Sequence, residues 1–210
     1  MHEEDERFII DMEDQKNKLH YAILSRSGVA VIKNLIEIEK TNPNELSNND
    51  FKLGPNISCL ILACNYSNIK VVKTLIKHGA CVNLSNEFGE TPLLHAVWNC
   101  KLDIVSELIG KNANVNEVDV YGRSPLYYAC QKGCRNVVQK LLKNNAQING
   151  TDNTGKTILS RAVCWGHYHI VKMLLKHNVK ILNIDIEEGV EFQQARIVEL
   201  LENERRRRGE

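Results

Sequence analysis

The chain has 210 residues, 43% hydrophobic and 25% charged, the make-up of one globular domain with at most a small extension. A net charge of +1 gives no global pull toward nucleic acid or an anionic membrane. No stretch approaches about eighteen apolar residues, so no membrane span is expected.

The start, MHEEDERFIIDMEDQ, is acidic and lacks the basic and apolar segments of a secretory signal. Seven scattered cysteines without a CxxC pair suit reduced thiols in a cytoplasmic or nuclear protein. Within the acidic start, Phe8 and Met12 fall at helical spacing and read as a capping helix. Next comes NKLHYAIL from Asn17, with Val31, Ile32, Leu35 and Ile36 as the apolar face of a second helix. About eight residues are then inserted, mostly in ELSNNDF.

From there the chain repeats itself. SCLILAC from Ser58, TPLLHAV from Thr91, SPLYYAC from Ser124 and TILSRAV from Thr157 begin 33 residues apart each time. VVKTLIKHGACVN, IVSELIGKNANVN, VVQKLLKNNAQIN and IVKMLLKHNVKIL follow in the same register. Each unit reads as turn, short helix, turn, helix. Gly89, Gly122 and Gly155 supply a turn, and Thr91, Ser124 and Thr157 cap the first helix, with Pro92 and Pro125 at its first position. Ala63, Ala96, Ala129 and Ala162 keep that helix small on one side. The second helix closes at Gly79, Asn112, Asn145 and Asn178, the residue types that best tolerate a left-handed cap.

The repeated TPLLHA and SPLYYA resemble the ankyrin-repeat signature. The resemblance implies an all-α fold, an ankyrin-repeat solenoid of stacked helix-turn-helix units with protruding hairpin tips. It divides the chain into residues 1–52 (cap, divergent first repeat and inserted loop), 53–185 (four repeats) and 186–210 (a capping helix with a basic end). Val190, Phe192 and Ala195 fall at the positions of a sixth first helix, after which ARIVELLENERRRR runs on as one helix. The arginine run at 205–208 reads as favourable to the helix dipole and to solubility rather than as a nuclear signal.

One octet competes with this reading. GTDNTGKT, residues 150–157, fits the phosphate-loop pattern G-x-x-x-x-G-K-[ST]. Yet Gly155 and Thr157 are the repeat's turn and cap, and such a loop needs a buried parallel strand before it and a long helix after it. Cys64 and Cys130 sit where small buried fillers belong. Cys164, His167 and His169 lie close together but lack a second ligand pair at zinc spacing. No metal, cofactor or catalytic site is expected, and the protein is not an enzyme on this reading. Asn83, Asn116 and Asn149 match an asparagine that is sometimes hydroxylated in the family, but read here as turn-stabilising side chains.

What remains is a binding surface. By register, Phe88 and Tyr121 lie on the tips, and Tyr66, Trp98 and Trp165 at the ends of the first helices, facing the concave side that the resemblance implies. Glu87, Glu90, Arg123, Gln131, Lys132 and Lys156 form a polar rim of mixed sign. Exposed aromatics on one face are what a protein-binding hot spot needs. The expected partner is another protein, with the chain monomeric or weakly self-associating, as an inhibitor, decoy or adaptor. Alternatives are a mimic of the inhibitors of NF-κB-type transcription factors, from a virus or symbiont, or a self-associating assembly protein.

Overall fold

The computed structural model describes residues 18–47, 56–66 and 68–209. The expected capping helix with Phe8 and Met12, and most of the inserted segment, lie outside them. The chain divides into two compact units, residues 1–87 and 88–210.

The first unit carries α1 (Lys18–Leu24), α2 (Val29–Glu37), β1 (Leu46–Ser47), β2 (Ile57–Ser58), α3 (Cys59–Tyr66) and α4 (Ile69–Lys77). The two short strands pair antiparallel, Leu46 opposite Ser58 and Ser47 opposite Ile57. Helices α1 and α3 pack side by side, as do α2 and α4, so two helix pairs stack in two layers. Leu19, Ile23, Ile32, Leu60 and Leu75 are buried between them. His20 is buried as well, its Nε2 2.9 Å from the Ile57 carbonyl oxygen.

The second unit carries α5 (Pro92–Trp98), α6 (Leu102–Gly110), α7 (Pro125–Lys132), α8 (Arg135–Lys143), α9 (Ile158–Cys164), α10 (Tyr168–Lys176), α11 (Asn183–Glu191) and α12 (Ala195–Arg208). Odd-numbered helices pack in one layer, α5 on α7 on α9 on α11, and even-numbered ones in the other. The architecture is an all-α stack of ankyrin type. The caps form where the sequence places them. The Thr91, Ser124 and Thr157 side-chain oxygens accept from the amides of Leu94, Tyr127 and Ser160 at 3.3, 3.2 and 2.8 Å. Asn112, Asn145 and Asn178 adopt φ of 62°, 61° and 57°, so the second helices close in the left-handed conformation. Ala96, Ala129 and Ala162 are fully buried between first helices, where a larger side chain would push the layers apart.

Two expectations are corrected. The last first-layer helix is α11, which ends at Glu191, so Val190, Phe192 and Ala195 do not start it. Its small residue is Gly189, 27 residues on from Ala162 and six short of the 33-residue step. A Cβ on Gly189 would fall 2.6 Å from Val198 and 3.1 Å from Val163, which is why no side chain fits there. The hairpin preceding this helix is the part that shrinks, leaving only residues 177–182 between α10 and α11. Reduced thiols throughout are also not what the structure holds. Cys100 and Cys134 form a disulfide with Cα atoms 5.6 Å apart, because successive inter-helix turns bring them together.

Candidate interaction face

In the second unit the first-layer helices pack in a row, α5 on α7 on α9 on α11, each preceded by its hairpin or turn. The tips are stitched in series: the Val120 amide donates to the Phe88 carbonyl at 2.9 Å, and the Asn153 amide to the Tyr121 carbonyl at 2.9 Å. Phe88, Trp98, Tyr121 and Trp165 are 40%, 42%, 52% and 57% exposed. Trp98 ends α5 and Trp165 caps α9, as the register predicts.

The polar residues are less free than the sequence implies. Lys132 Nζ stands 3.8 Å from the centre of the Trp98 ring, and the Arg123 guanidinium 4.5 Å from that of Tyr121. Glu90 lies 3.3 Å from Nε2 of buried His95. The backbone carbonyl of Gln131 accepts from His167 Nε2 at 3.1 Å. Lys156 is ion-paired with buried Glu188, so it is a half-buried structural residue rather than an open rim position. Tyr66 and Glu87 belong to the first unit. Tyr66 ends α3 half-buried, and exposed Glu87 accepts from the Asn56 side chain.

Tyr128 is the residue that sequence reasoning missed on this face. Its ring meets Trp98 edge-on at 5.1 Å, and its hydroxyl donates to Asp119 at 2.5 Å. The second tyrosine of SPLYYA is 7% exposed and part of the core, but it also props the exposed tryptophan. Phe192, placed in a sixth first helix by the expected register, instead caps α11 and is 46% exposed. The signal for it was its place one residue before a left-handed turn at Gln193, matching Lys132 before Gly133 and Trp165 before Gly166.

Asp119, Asp152 and Asp185 are turned inward. Asp119 Oδ1 accepts from the amides of Tyr121 and Arg123, both at 2.9 Å. Asp152 repeats the arrangement, taking the amides of Thr154 and Lys156 at 2.9 and 3.0 Å and the Tyr127 hydroxyl at 2.8 Å. Burial alone would raise the Asp152 pKa, but the Thr154 and Tyr127 hydroxyls and these amides outweigh it and hold the carboxyl below its usual range. Burial and the Asp119 and Asp152 carboxylates push both tyrosine hydroxyls up. Asp185, fully buried, accepts from the Thr157 hydroxyl at 2.5 Å and the Leu182 amide at 2.6 Å. Its pKa is raised by burial first, aided by the Glu188 charge.

These contacts settle the octet GTDNTGKT structurally. Gly155 is a left-handed turn residue at φ 81°, and Thr157 caps a helix of only seven residues. The amides that would cradle a phosphate already serve the Asp152 carboxylate, and Lys156 already serves Glu188. The asparagines stitch hairpins: Asn116 Oδ1 accepts from the Gln147 amide at 2.8 Å, and Asn149 Oδ1 from the Lys180 amide at 2.9 Å. Asn44 does the same in the first unit, accepting from the Cys81 amide at 2.6 Å and donating to the Gly79 carbonyl at 2.9 Å.

Among the described residues no group of three or more His, Cys, Asp or Glu side chains is placed to hold a metal ion. Cys164 is half-buried and His169 stacks edge-on with Tyr168. Cys64 and Cys130 are buried fillers, and burial pushes the Cys130 thiol up. No helix among the described residues is long and apolar enough to cross a membrane.

A family model for ankyrin repeats, in three copies, matches residues 19–119 and 101–185. The chain belongs to the ankyrin-repeat family. No curated protein matches it. Ankyrin repeats are in general protein–protein interaction modules, and the family is typically non-catalytic.

Proposed function

We propose that this ankyrin-repeat chain is a non-catalytic module that captures a partner protein on its first-layer face and hairpin tips, as an inhibitor, decoy or adaptor. The observation that carries the reading is the set of exposed aromatics Phe88, Trp98, Tyr121 and Trp165 along the hairpin tips and first-layer helix ends of residues 88–210. Exposed apolar area of this kind marks contact sites. Lys132 over Trp98 and Arg123 over Tyr121 add cationic groups next to flat apolar surface. The stitched tips are held by their neighbours before any partner arrives, so little ordering entropy is lost on binding.

The test is affinity capture with mass spectrometry, comparing the wild-type chain with a Trp98→Ala/Tyr121→Ala double variant. Captured protein should be lost while the melting temperature changes little. Unchanged capture would remove this face from the proposal.

A further inference from the structure

We infer that Cys100 and Cys134 form a reversible thiol–disulfide site that cross-links successive repeats and holds Trp98 and Lys132 in register. Cys100 lies in the turn after α5 and Cys134 at the N-cap of α8. Each cysteine follows by two residues a member of the Trp98–Lys132 pair, whose ring and ammonium are 3.8 Å apart.

The adjacency belongs to the stack and does not depend on the bond. At the next step along the unit, a Cβ built on Gly133 would fall 2.6 Å from the His167 ring. One step further, a Cβ on Gly166 would fall 2.9 Å from the Gln194 side chain. Cys100 faces Cys134 as Gly133 faces His167 and Gly166 faces Gln194. At these three steps of the second unit the left-handed residue of one turn points at the N-cap residue of the next repeat. Cysteine at both ends of this diagonal puts the two Cα atoms 5.6 Å apart, within the span that a bridge covers.

The backbone of Cys100 supports a use for its side chain. It holds φ 53°, in the left-handed region where the next two repeats place Gly133 at 76° and Gly166 at 70°. Glycine takes that conformation without steric cost, and a cysteine does not. Access is also graded. Cys100 is exposed and Cys134 is 7% exposed, whereas Cys59, Cys64 and Cys130 are enclosed in the core.

The chemistry closes with a low-molecular-weight disulfide, RSSR, as oxidant. The exposed Cys100 thiolate attacks one sulfur of RSSR, forming a mixed disulfide and expelling RS⁻. The Cys134 thiolate then attacks the Cys100 sulfur, forms the internal bond and expels the second RS⁻. The two thiol protons end on two RSH, and the protein dithiol has lost two electrons to the oxidant. Excess RSH reverses both steps.

The experiment uses the full chain carrying Trp165→Phe, which leaves Trp98 as the one tryptophan of the two in the sequence. It is poised with oxidised glutathione or with dithiothreitol. Alkylation and peptide mapping should show Cys100 and Cys134 joined to each other in the oxidised sample and both alkylated in the reduced one. Acrylamide quenching of Trp98 should rise on reduction. A Cys100→Gly variant, which suits the left-handed turn, should show quenching independent of redox poise. Full alkylation of both thiols after oxidation, joining of either to a different cysteine, or identical Trp98 quenching in the two states would overturn the inference. Neither readout involves a partner protein, so its failure is separate from failure of the binding proposal.

Discussion

A single nitrogen of Arg161, Nη2, lies 2.8 Å from both carboxylate oxygens of Glu188, whose side chain is only 3% exposed. Lys156 closes on the same carboxylate from the hairpin. Two cations from one repeat thus converge on a buried acid of the next, between α9 and α11. The acid stabilises the pairing only while both cations stay. Removing it leaves two positive groups, one 16% and one 34% exposed, facing each other without a counterion. Glu188→Ala is expected to lower unfolding stability by about 3 kcal/mol, the low end for breaking a buried pair because water reaches Lys156. Glu188→Gln keeps the acceptor oxygen and should lose less. An unchanged urea midpoint for the alanine variant would show that the three groups act independently.

The hairpin carboxylates lead to a pH prediction. Asp152 binds two amides and two hydroxyls as a carboxylate, and its pKa is held below the ordinary value. A group whose folded pKa is depressed contributes stability above its unfolded pKa, near 3.9 for aspartate, and that stability is lost as pH falls through the folded value. The acid limb of the stability curve should therefore be shallower in Asp152→Asn than in the wild type, with the difference confined to pH below about 4. Urea midpoints measured down the acid range check this. Parallel limbs would mean that Asp152 has no differential protonation on folding.

How much of this was legible in the sequence depended on whether a residue acts within its own repeat. Thr91, Ser124 and Thr157 cap helices through amides three residues away, and Asn112, Asn145 and Asn178 close their own helix, so period and residue type sufficed. The pairs that cross repeats were hidden. Lys156 looked like an open tip because Glu188 reaches it only after the last hairpin has shortened. That shortening was invisible because Ala195 satisfied the 33-residue step, while Gly189 satisfies the packing. Cys100 and Cys134 are 34 residues apart, one off the repeat, and the diagonal that joins them is a property of stacked turns rather than of either repeat. The exposure of Trp98, Tyr121 and Trp165 was readable because those slots lie off the apolar period. Tyr128 was not, since it is core and support at once.

In the first unit, His78 joins α4 to α2. Its Nδ1 is 2.8 Å from the Thr74 carbonyl, and its Nε2 is 2.9 Å from Glu37. The Thr74 carbonyl first, then Glu37, raise the His78 pKa, and the His78 contact in turn lowers that of Glu37. A raised histidine pKa contributes stability that is full below the unfolded value, about 6.5, and lost as pH rises through the folded one. The α2–α4 link should therefore loosen on going from mildly acidic to alkaline pH, with Glu37 ionised throughout. Amide protection in α2, taken relative to the intrinsic exchange rate at each pH, should fall across that window in the wild type and stay flat in His78→Gln. Equal pH dependence in both proteins would assign the effect to another group.

The last helix places its arginines unequally. Arg208 donates from Nη1 to the Val179 carbonyl at 2.7 Å and from Nη2 to the Leu175 carbonyl at 3.0 Å, while its Nε holds Glu204 at 2.9 Å. Leu175 is in the last turn of α10 and Val179 just beyond it, so this guanidinium ties the end of α12 to the end of α10, adding to the bond that the Leu175 carbonyl already accepts from the Asn178 amide. Arg207 and Arg208 together hold the Glu204 carboxyl down at about 2. Arg206 and Arg207 are 74% and 71% exposed and pair with Glu202 and Glu204 of their own helix. Arg208→Ala should cost about 1–2 kcal/mol through two charge-assisted bonds lost from partly buried carbonyls. Arg207→Ala removes only a solvated surface pair and should leave the melting temperature essentially that of the wild type. Arg208→Lys keeps the charge but cannot span two carbonyls while holding Glu204, so it should fall between them. Thermal unfolding of the three variants ranks them, and an Arg207 variant as damaged as the Arg208 one would mean that net charge, not the tie to α10, is what the basic run supplies.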